Sequence, residues 1–562
     1  MNMIRILPSG SVRARAWRFY VLWFLLFITV VGLLWRLIDL NILDRSFLLK
    51  QSKARILRIV NIPAYRGMIT DRLGVPLAIS TPVDSVWINP RLFQATPSQF
   101  VALSYFLHLP ITFIKKRIQK GANHQFVYLK RGNPPYIAEE IRQLNIPNIF
   151  FQHEYRRYYP EGEITAHVVG FTNIDDQGQE GLELAYNQWL SGKSGKMEVI
   201  KDRLGHIVAN IDLVKKPIQG HDLTLSLDHR IQYLAYQALK ETVSTYHAKA
   251  GSAVVLDVKS GEILAMVNQP SYNPNKRPVR YDGHYRNRAM TDIFEPGSVI
   301  KAFTIALALE SGKYTPSTKI DTNPGWMKIG SYRISDDGLN FGVISLTQLL
   351  QHSSNIAAAK ILLSFKPKHY YSLLYALGFG QRTNSSFPGE SSGTLVSHNT
   401  WVPSRVATLG YGYGMAVTTI QLAQAYAILG SGGIKRPITF LKSESSPNSI
   451  RILPEKVAKK IVRMLETVVQ KGGTGIQAAV YRYCVAGKTG TAYISGPKGY
   501  DKKHYMSSFV GMAPAKNPQL VVAVVIREPK NEHLGGLVAA PLFSKIMSGA
   551  LRLLDILPTP ST

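Results

Sequence analysis

Glu295, Pro296, Gly297, Ser298, Val299, Ile300 and Lys301 set a serine three positions before a lysine. On a helix, residues i and i+3 share a face, and this run reads as a helix's first turn, so the amine can reach the hydroxyl. A serine hydroxyl is a weak nucleophile, and a lysine neutralised by its surroundings can take its proton. The positive end of the helix also favours the developing alkoxide. Alone, S-x-x-K decides nothing. Ordinary Ser and Lys frequencies place about two copies in a chain of this length, and a capping serine beside a surface lysine accounts for either.

Two more motifs follow in order. Ser353, Ser354 and Asn355 supply S-x-N, and Lys488, Thr489 and Gly490 supply K-T-G. A K-T-G arises by chance in roughly one such chain in ten, so the ordered trio is a strong signal. Each part has chemistry of its own. Lys488 follows a β-like stretch, YCVAGKTGTAY. It can offer positive charge to a substrate carboxylate and depress the Lys301 amine by like-charge repulsion. Thr489 can hydrogen-bond the same carboxylate, and Gly490 lets a substrate strand approach closely. Ser353 can relay a proton between Lys301 and a leaving amine. Asn355 can hold a substrate peptide group, and the backbone N–H groups of Ser298 and Thr491 are candidates for an oxyanion hole.

Other chemistries fail on inspection. Gly487, Lys488 and Thr489 mimic the end of a phosphate-binding loop, but Arg482 stands where its first glycine belongs. His153 and Glu154 are followed by Tyr155, Arg156 and Arg157, which does not complete a zinc-protease H-E-x-x-H. No G-x-S-x-G elbow surrounds a plausible nucleophile. Cys484 is the single cysteine, so no intrachain disulfide forms, and its apolar surroundings predict a buried strand residue.

The elements that must position these groups begin with a membrane segment. Residues 19–35 carry no charge. As a helix they span about 26 Å, slightly short of a bilayer's hydrocarbon, and Arg18 and Arg36 can snorkel to extend it. Trp17, Tyr20 and Trp35 fall where interfacial aromatics belong. Arg5, Arg13, Arg15 and Arg18 precede the segment without an acid, which keeps the N-terminus cytoplasmic and sends the rest out. No small-x-small cleavage site follows in RLIDL, so an uncleaved anchor is expected.

At 562 residues the chain exceeds one core, and two or three domains are expected. Hydrophobic residues at 45% and charged residues at 18% are globular proportions. The net charge of +30 suits anionic partners such as acidic lipid headgroups, pyrophosphate-linked substrates or nucleic acid. A basic solvated surface explains the same excess. Residues 223–239 pass from period-2 alternation to a helical pattern with Ile231, Leu234, Ala235 and Ala238 on one face. Residues 253–266 read as a β-hairpin turning at Lys259, Ser260 and Gly261, and residues 509–513 and 520–526 as another. Strands at both ends with helical patterns between them predict one antiparallel sheet carrying a helical cluster. The expected order is a cytoplasmic tail at 1–18, an anchor at 19–40, an irregular α+β non-catalytic module at 45–222 and a catalytic domain at 223–562. The fold class is α+β.

With the trio in place, the chain resembles the division-specific class B penicillin-binding proteins over nearly its whole length. The resemblance includes RGMITDRLG at 66–74 and RYYPEGEITAHVVGFTNIDDQGQEGLE at 157–183, both in the non-catalytic module. The end of that run and LGYGYGMAVTTIQLAQAYA at 409–427 look more like the septal than the elongation branch. The resemblance implies acylation of Ser298 by the penultimate D-Ala of a stem peptide, release of the terminal D-Ala, and transfer to an amine on a neighbouring strand. It implies trapping of β-lactams at the same serine, substrate contacts from Asn355, Lys488, Thr489, Gly490 and Thr491, and no metal or organic cofactor. Its partners would be membrane proteins of the divisome, including a SEDS glycosyltransferase, and no nucleic acid. It implies a single-pass inner-membrane protein with a periplasmic catalytic domain. In the non-catalytic module, Gly74 and Gly162 serve turns, and Arg66 and Asp71 form an interdomain ion pair. An elongation-type transpeptidase, a β-lactamase or D,D-carboxypeptidase, and a non-enzymatic β-lactam sensor or scaffold are the other readings.

Overall fold

The computed structural model describes residues 13–201, 207–276, 283–443, 448–496 and 499–558. Residues 1–12 of the expected tail, Arg5 among them, lie outside the described residues. The apolar segment is one helix, Arg13–Ile38, continued by a π-helical turn, Asp39–Leu43. Its apolar side chains are exposed all round, as on a helix with nothing packed against it. Arg36 pairs with Asp39 one turn on. A second long apolar helix, Gly535–Leu553, is half buried and packs on the C-terminal sheet.

A three-stranded antiparallel sheet, Leu57–Ile62, Gly195–Lys201 and Ile207–Lys215, lies beyond the apolar helix. Beyond it the long strand Pro76–Ile88 pairs with Val127–Asn133 and Ile149–Tyr158. Helices Pro97–Leu107, Ile111–Lys120 and Pro135–Gln143 belong to this part, and Val86, Ile88, Leu103, Leu107, Ile114 and Leu129 form a core of its own. At its base Glu183 is fully buried between two guanidinium groups, 2.6 Å from both Arg66 Nη2 and Arg157 Nε. The expected Arg66–Asp71 pair is therefore not made. Asp71 instead accepts from His229 Nδ1 at 2.7 Å, because the turn after Thr70 carries it to the N-terminus of the helix His229–Thr245. Gly74 and Gly162 do sit in turns at positive φ.

Residues Leu223–Thr224 pair in parallel with Ile69–Thr70, joining the two halves of the chain through one short ladder. The second half is built on a five-stranded antiparallel sheet in the order Ile263–Gln269, Ala250–Asp257, Leu520–Arg527, Gly499–Ala513, Ala486–Gly496. Helices His229–Thr245 and Gly535–Leu553 cover one face; Thr419–Gly430 and Glu455–Val469 pack on the other. With both faces covered, LVVAVVI reads as a continuous apolar run rather than an alternating one, and Leu520, Val521, Val522, Ala523 and Val524 are all inaccessible. Glu455–Val469 is amphipathic, burying Val457, Ala458, Ile461, Val462, Leu465 and Val468. Each large apolar side chain so buried stabilises by about 1.5–3 kcal/mol. Ala486–Gly496 has a strand neighbour on one side only, leaving an edge that a substrate strand can join.

Candidate active site

Two helix ends and one sheet edge converge at this site. The turn that carries Ser298 is the 3-10 segment Gly297–Ile300, and the α-helix proper starts at Lys301. Ser298 therefore precedes the helix rather than occupying its first α-helical turn. The i, i+3 relation still holds, because 3-10 geometry eclipses residues three apart. Lys301 Nζ donates to Ser298 Oγ at 3.0 Å.

The middle motif spans a break between two helices. Leu346–His352 is opened by a capping box of Ser345 and Gln348 and ends on Ser353 in the left-handed conformation, φ 63°. A non-glycine residue there is strained, and the αL conformation is what turns the chain toward Ser298. Ser354 then caps the next helix, Asn355–Leu363, accepting from Ala357 N at 3.1 Å. Lys301 Nζ lies 3.1 Å from Ser353 Oγ and 2.7 Å from Asn355 Oδ1, and it also donates to the Ser353 carbonyl.

Lys488 lies within the edge strand rather than after it, inaccessible like Lys301. Its Nζ is 3.0 Å from Ser353 Oγ and 3.3 Å from Thr489 Oγ1. Thr489 Oγ1 meets Thr474 Oγ1 at 2.8 Å, and Thr491 Oγ1 accepts from Gly535 N at 2.9 Å. A Cβ at Gly490 would stand 2.3 Å from Ser508 Oγ and 3.0 Å from the Pro296 carbonyl. The glycine is required by the approach of the turn that carries Ser298, a pressure from inside the fold that the sequence reading assigned to substrate. Gly297 comes within 3.3 Å of the Thr491 carbonyl by the same measure, so the Ser298 and Thr491 backbones are neighbours.

Both amines are pushed down from the ordinary lysine range, and burial is the main cause for each. Lys301 falls to about 7, held up from going lower by Asp336 and Asp337. Lys488 is also held well below the ordinary lysine range, by burial and then by repulsion from Lys301. Repulsion between the two amines, which the sequence suggested for Lys301, stands second to burial as a cause at Lys488.

Several contributors carried no recognisable motif. Asp336 binds the start of the S-x-N helix. The segment after Leu409 forms the far wall, where Gly297 N donates to Gly412 O at 3.1 Å, and Gly414 N to Glu295 Oε1 at 2.7 Å. Repeated glycines in LGYGYG are the one available signal, since a Cβ at Gly412 would fall 2.0 Å from the Gly297 carbonyl. Cys484 is half-buried and lies outside any strand, two residues before the edge strand begins. His153 contacts Asp84, and Glu154 pairs with Arg131, so neither is held for a metal. Among the described residues no group of three or more His, Cys, Asp or Glu is gathered for one.

Residues 251–548 match the penicillin binding protein transpeptidase domain, and residues 61–225 the penicillin-binding protein dimerisation domain. The chain belongs to the class B penicillin-binding proteins. It is 42% identical to the probable peptidoglycan D,D-transpeptidase PbpC of Pseudomonas aeruginosa, over 98% of this chain and 97% of that one. It is 38% identical to the peptidoglycan D,D-transpeptidase FtsI of Escherichia coli K12, over 97% and 93%. The structure of penicillin-binding protein 3 from Mycobacterium tuberculosis complexed with aztreonam superposes with a TM-score of 0.70 at 26% identity, covering 89% of this chain and 98% of that one. In this penicillin-binding protein a cavity of about 670 Å³ lies apart from the motifs. It is lined by Arg131, Arg157 and Asp176 from the first half and by Asn275 and Tyr285 from the second.

Proposed function

We propose that this class B penicillin-binding protein is a serine D,D-transpeptidase that cross-links peptidoglycan stem peptides in the division septum. The observation that carries the reading is the contact of Lys301 Nζ with Ser298 Oγ at 3.0 Å, made by an amine whose burial brings it down to about 7. Such an amine is neutral for a large fraction of the time near neutral pH and serves as a general base.

In the first half-reaction Ser298 Oγ bonds to the carbonyl carbon of the penultimate D-Ala, and its proton passes to Lys301 Nζ. The carbonyl oxygen, now negative, faces the backbone N–H groups of Ser298 and Thr491. The amide C–N bond then breaks. The leaving nitrogen takes a proton through Ser353 Oγ, which lies 3.1 Å from Lys301 Nζ and 3.0 Å from Lys488 Nζ. Lys488 and Thr489 hold the carboxylate of the departing D-Ala, and Asn355 and Gly490 on the edge strand side hold the peptide backbone. In the second half-reaction an acceptor amine attacks the ester carbonyl carbon and loses a proton to Lys301, and the bond between that carbon and Ser298 Oγ breaks as Oγ takes the proton from Lys301. A β-lactam enters the first half-reaction, but its leaving nitrogen stays tethered and blocks the second. With water as acceptor the same ester gives D,D-carboxypeptidase hydrolysis.

Residues 19–40 act as a membrane anchor, with residues 1–18 cytoplasmic and the remainder periplasmic, supported by the exposed apolar helix and the arginines before it. Residues 45–222 act as a pedestal, supported by the core that residues 86–149 form of their own, while residues such as Ile69, Val168 and Leu182 pack into the core of the second half. Residues 223–562 perform the chemistry. A SEDS glycosyltransferase and other divisome membrane proteins are the partners this arrangement would serve.

The test incubates the purified full-length protein in detergent with a stem pentapeptide ending in D-Ala-D-Ala and an excess of acceptor peptide amine. Mass spectrometry should find a Ser298 ester, released D-Ala and the cross-linked product, all lost in Ser298→Ala. Hydrolysed peptide without cross-linked product would assign a carboxypeptidase instead. A fluorescent fusion gathered at the side wall rather than midcell would replace the septal role by an elongation role.

A further inference from the structure

Asp336 is buried in the loop after the strand Tyr332–Ser335. Its carboxylate is occupied at the start of the Asn355–Leu363 helix. Oδ2 accepts from Ser354 Oγ at 2.6 Å, and Oδ1 accepts from Asn355 N at 2.5 Å and Ile356 N at 3.0 Å. These backbone donors are the first free N–H groups of the helix, where an anion is favoured by both hydrogen bonding and the helix dipole. The neighbouring carbonyl of Ser335 accepts from Asn355 Nδ2 at 3.0 Å. The loop therefore grips Asn355 by its main chain and its amide together, leaving Asn355 Oδ1 directed at Lys301 Nζ.

We infer that Asp336 is a positioning residue of the acylation reaction, holding Asn355 and Ser353 in register with Lys301 and placing a buried carboxylate beside the reacting amine. The inference rests on the reading of Lys301 as the base. The groups that bear on that amine are Asp336 and the exposed Asp337 from this loop, Lys488 from the edge strand, and the uncharged Ser298, Ser353 and Asn355. Among them Asp336 is the buried anion. Its charge favours the protonated amine, so it limits how far burial can push Lys301 toward neutrality. Too little anion would leave Lys301 unable to hold the proton it takes from Ser298, and too much would leave no free base. The S-x-N motif is thus held by a residue some 20 positions upstream, on a separate loop.

Two substitutions separate the mechanical from the electrostatic part. Asp336→Asn keeps an acceptor for both backbone N–H groups and can donate to Ser354 Oγ, which rotates to receive it, while the charge is lost. Asp336→Ala loses both. Acylation by a fluorescent penicillin is followed across pH on the full-length protein, with cooperative thermal unfolding recorded for each variant. The wild type should show a rate rising with pH to a plateau, with a midpoint near 7 set by Lys301. In Asp336→Asn the midpoint should fall by roughly half a pH unit or more with the plateau within about threefold, since only the anion has gone. In Asp336→Ala the plateau should fall by about tenfold or more. Asp337→Asn, exposed and screened, should move the midpoint less than Asp336→Asn. An unmoved midpoint in Asp336→Asn overturns the electrostatic part. A wild-type plateau in Asp336→Ala overturns the positioning part, and if that variant fails to fold, a plateau lost in Asp336→Asn as well overturns the separation of the two. A wild type with no midpoint would instead remove Lys301 as base, a different failure, and the Asp336→Ala plateau still reports on positioning.

Discussion

Lys301 and Lys488 aim their amines at a single hydroxyl, Ser353 Oγ, from 3.1 and 3.0 Å. Two buried ammonium groups so placed cannot both stay charged without heavy cost, so a proton entering the site is shared through Ser353. This explains why a serine stands between the lysines. A hydroxyl can donate to a neutral amine while accepting from a charged one, which an apolar residue or an amide hydrogen cannot do in both directions.

The first prediction concerns pH. Because the neutral amine is the reactive form, acylation by penicillin should rise between about pH 6 and 8, with a midpoint near the 7 that burial imposes on Lys301. Lys301→Ala should lower the plateau by about 1000-fold and abolish this limb. Stopped-flow acylation across pH checks it, and a flat wild-type profile would count against Lys301.

Lys488→Met removes an amine that the mechanism uses on the substrate carboxylate. The second-order rate constant of acylation should fall by about 100-fold. Relief of repulsion can only favour the charged form of Lys301, so the midpoint should rise or stay. A midpoint that falls in this variant would show that the two amines do not repel.

Glu183→Ala strips the carboxylate from between Arg66 and Arg157 and leaves two buried guanidinium groups without their ion-pair partner, with the Asp176 carboxyl nearby. A loss of about 3–5 kcal/mol is expected in chemical denaturation of the pedestal transition. The folded fraction should still be acylated at close to the wild-type rate, since the hydrogen bonds among Ser298, Lys301, Ser353, Asn355 and Lys488 involve no described side chain of residues 45–222. A cost below about 1 kcal/mol would show that the triad is not the joint it looks to be.

A chain beginning at Lys50 loses the exposed helix Arg13–Ile38 but keeps Leu57–Ile62, the strand that pairs with Gly195–Lys201. It should be soluble without detergent and acylated at the wild-type rate. Exported into cells depleted of the native protein, it should fail to support septation, because the anchor supplies effective concentration at a lipid-linked substrate and at helical partners. Normal septa would reduce the segment to a targeting signal.

The chemistry was readable from the chain because it depends on residue type in order: a hydroxyl, an amine three residues on, and two further polar triplets each carry their meaning locally. The hairpins from the two ends of the domain's sequence were readable for the same reason, since LVVAVVI and AVVLDV are apolar, continuous and bounded by turns. The exposed anchor helix needed only length and the lack of charge. Partner choice was not readable. Arg66 was expected on Asp71 and is held by Glu183, more than a hundred residues away, because opposite charges pair by the path of the chain and not by sequence proximity. Asp336 gives no sequence signal, since one aspartate among many becomes a helix cap only when another loop brings a helix start to it. The state of the two lysine amines was not readable either: repulsion from Lys488 was expected to depress Lys301, and burial is the main cause. How deeply each amine sits, and which carboxylate sits near it, are properties of packed neighbours that no local pattern encodes.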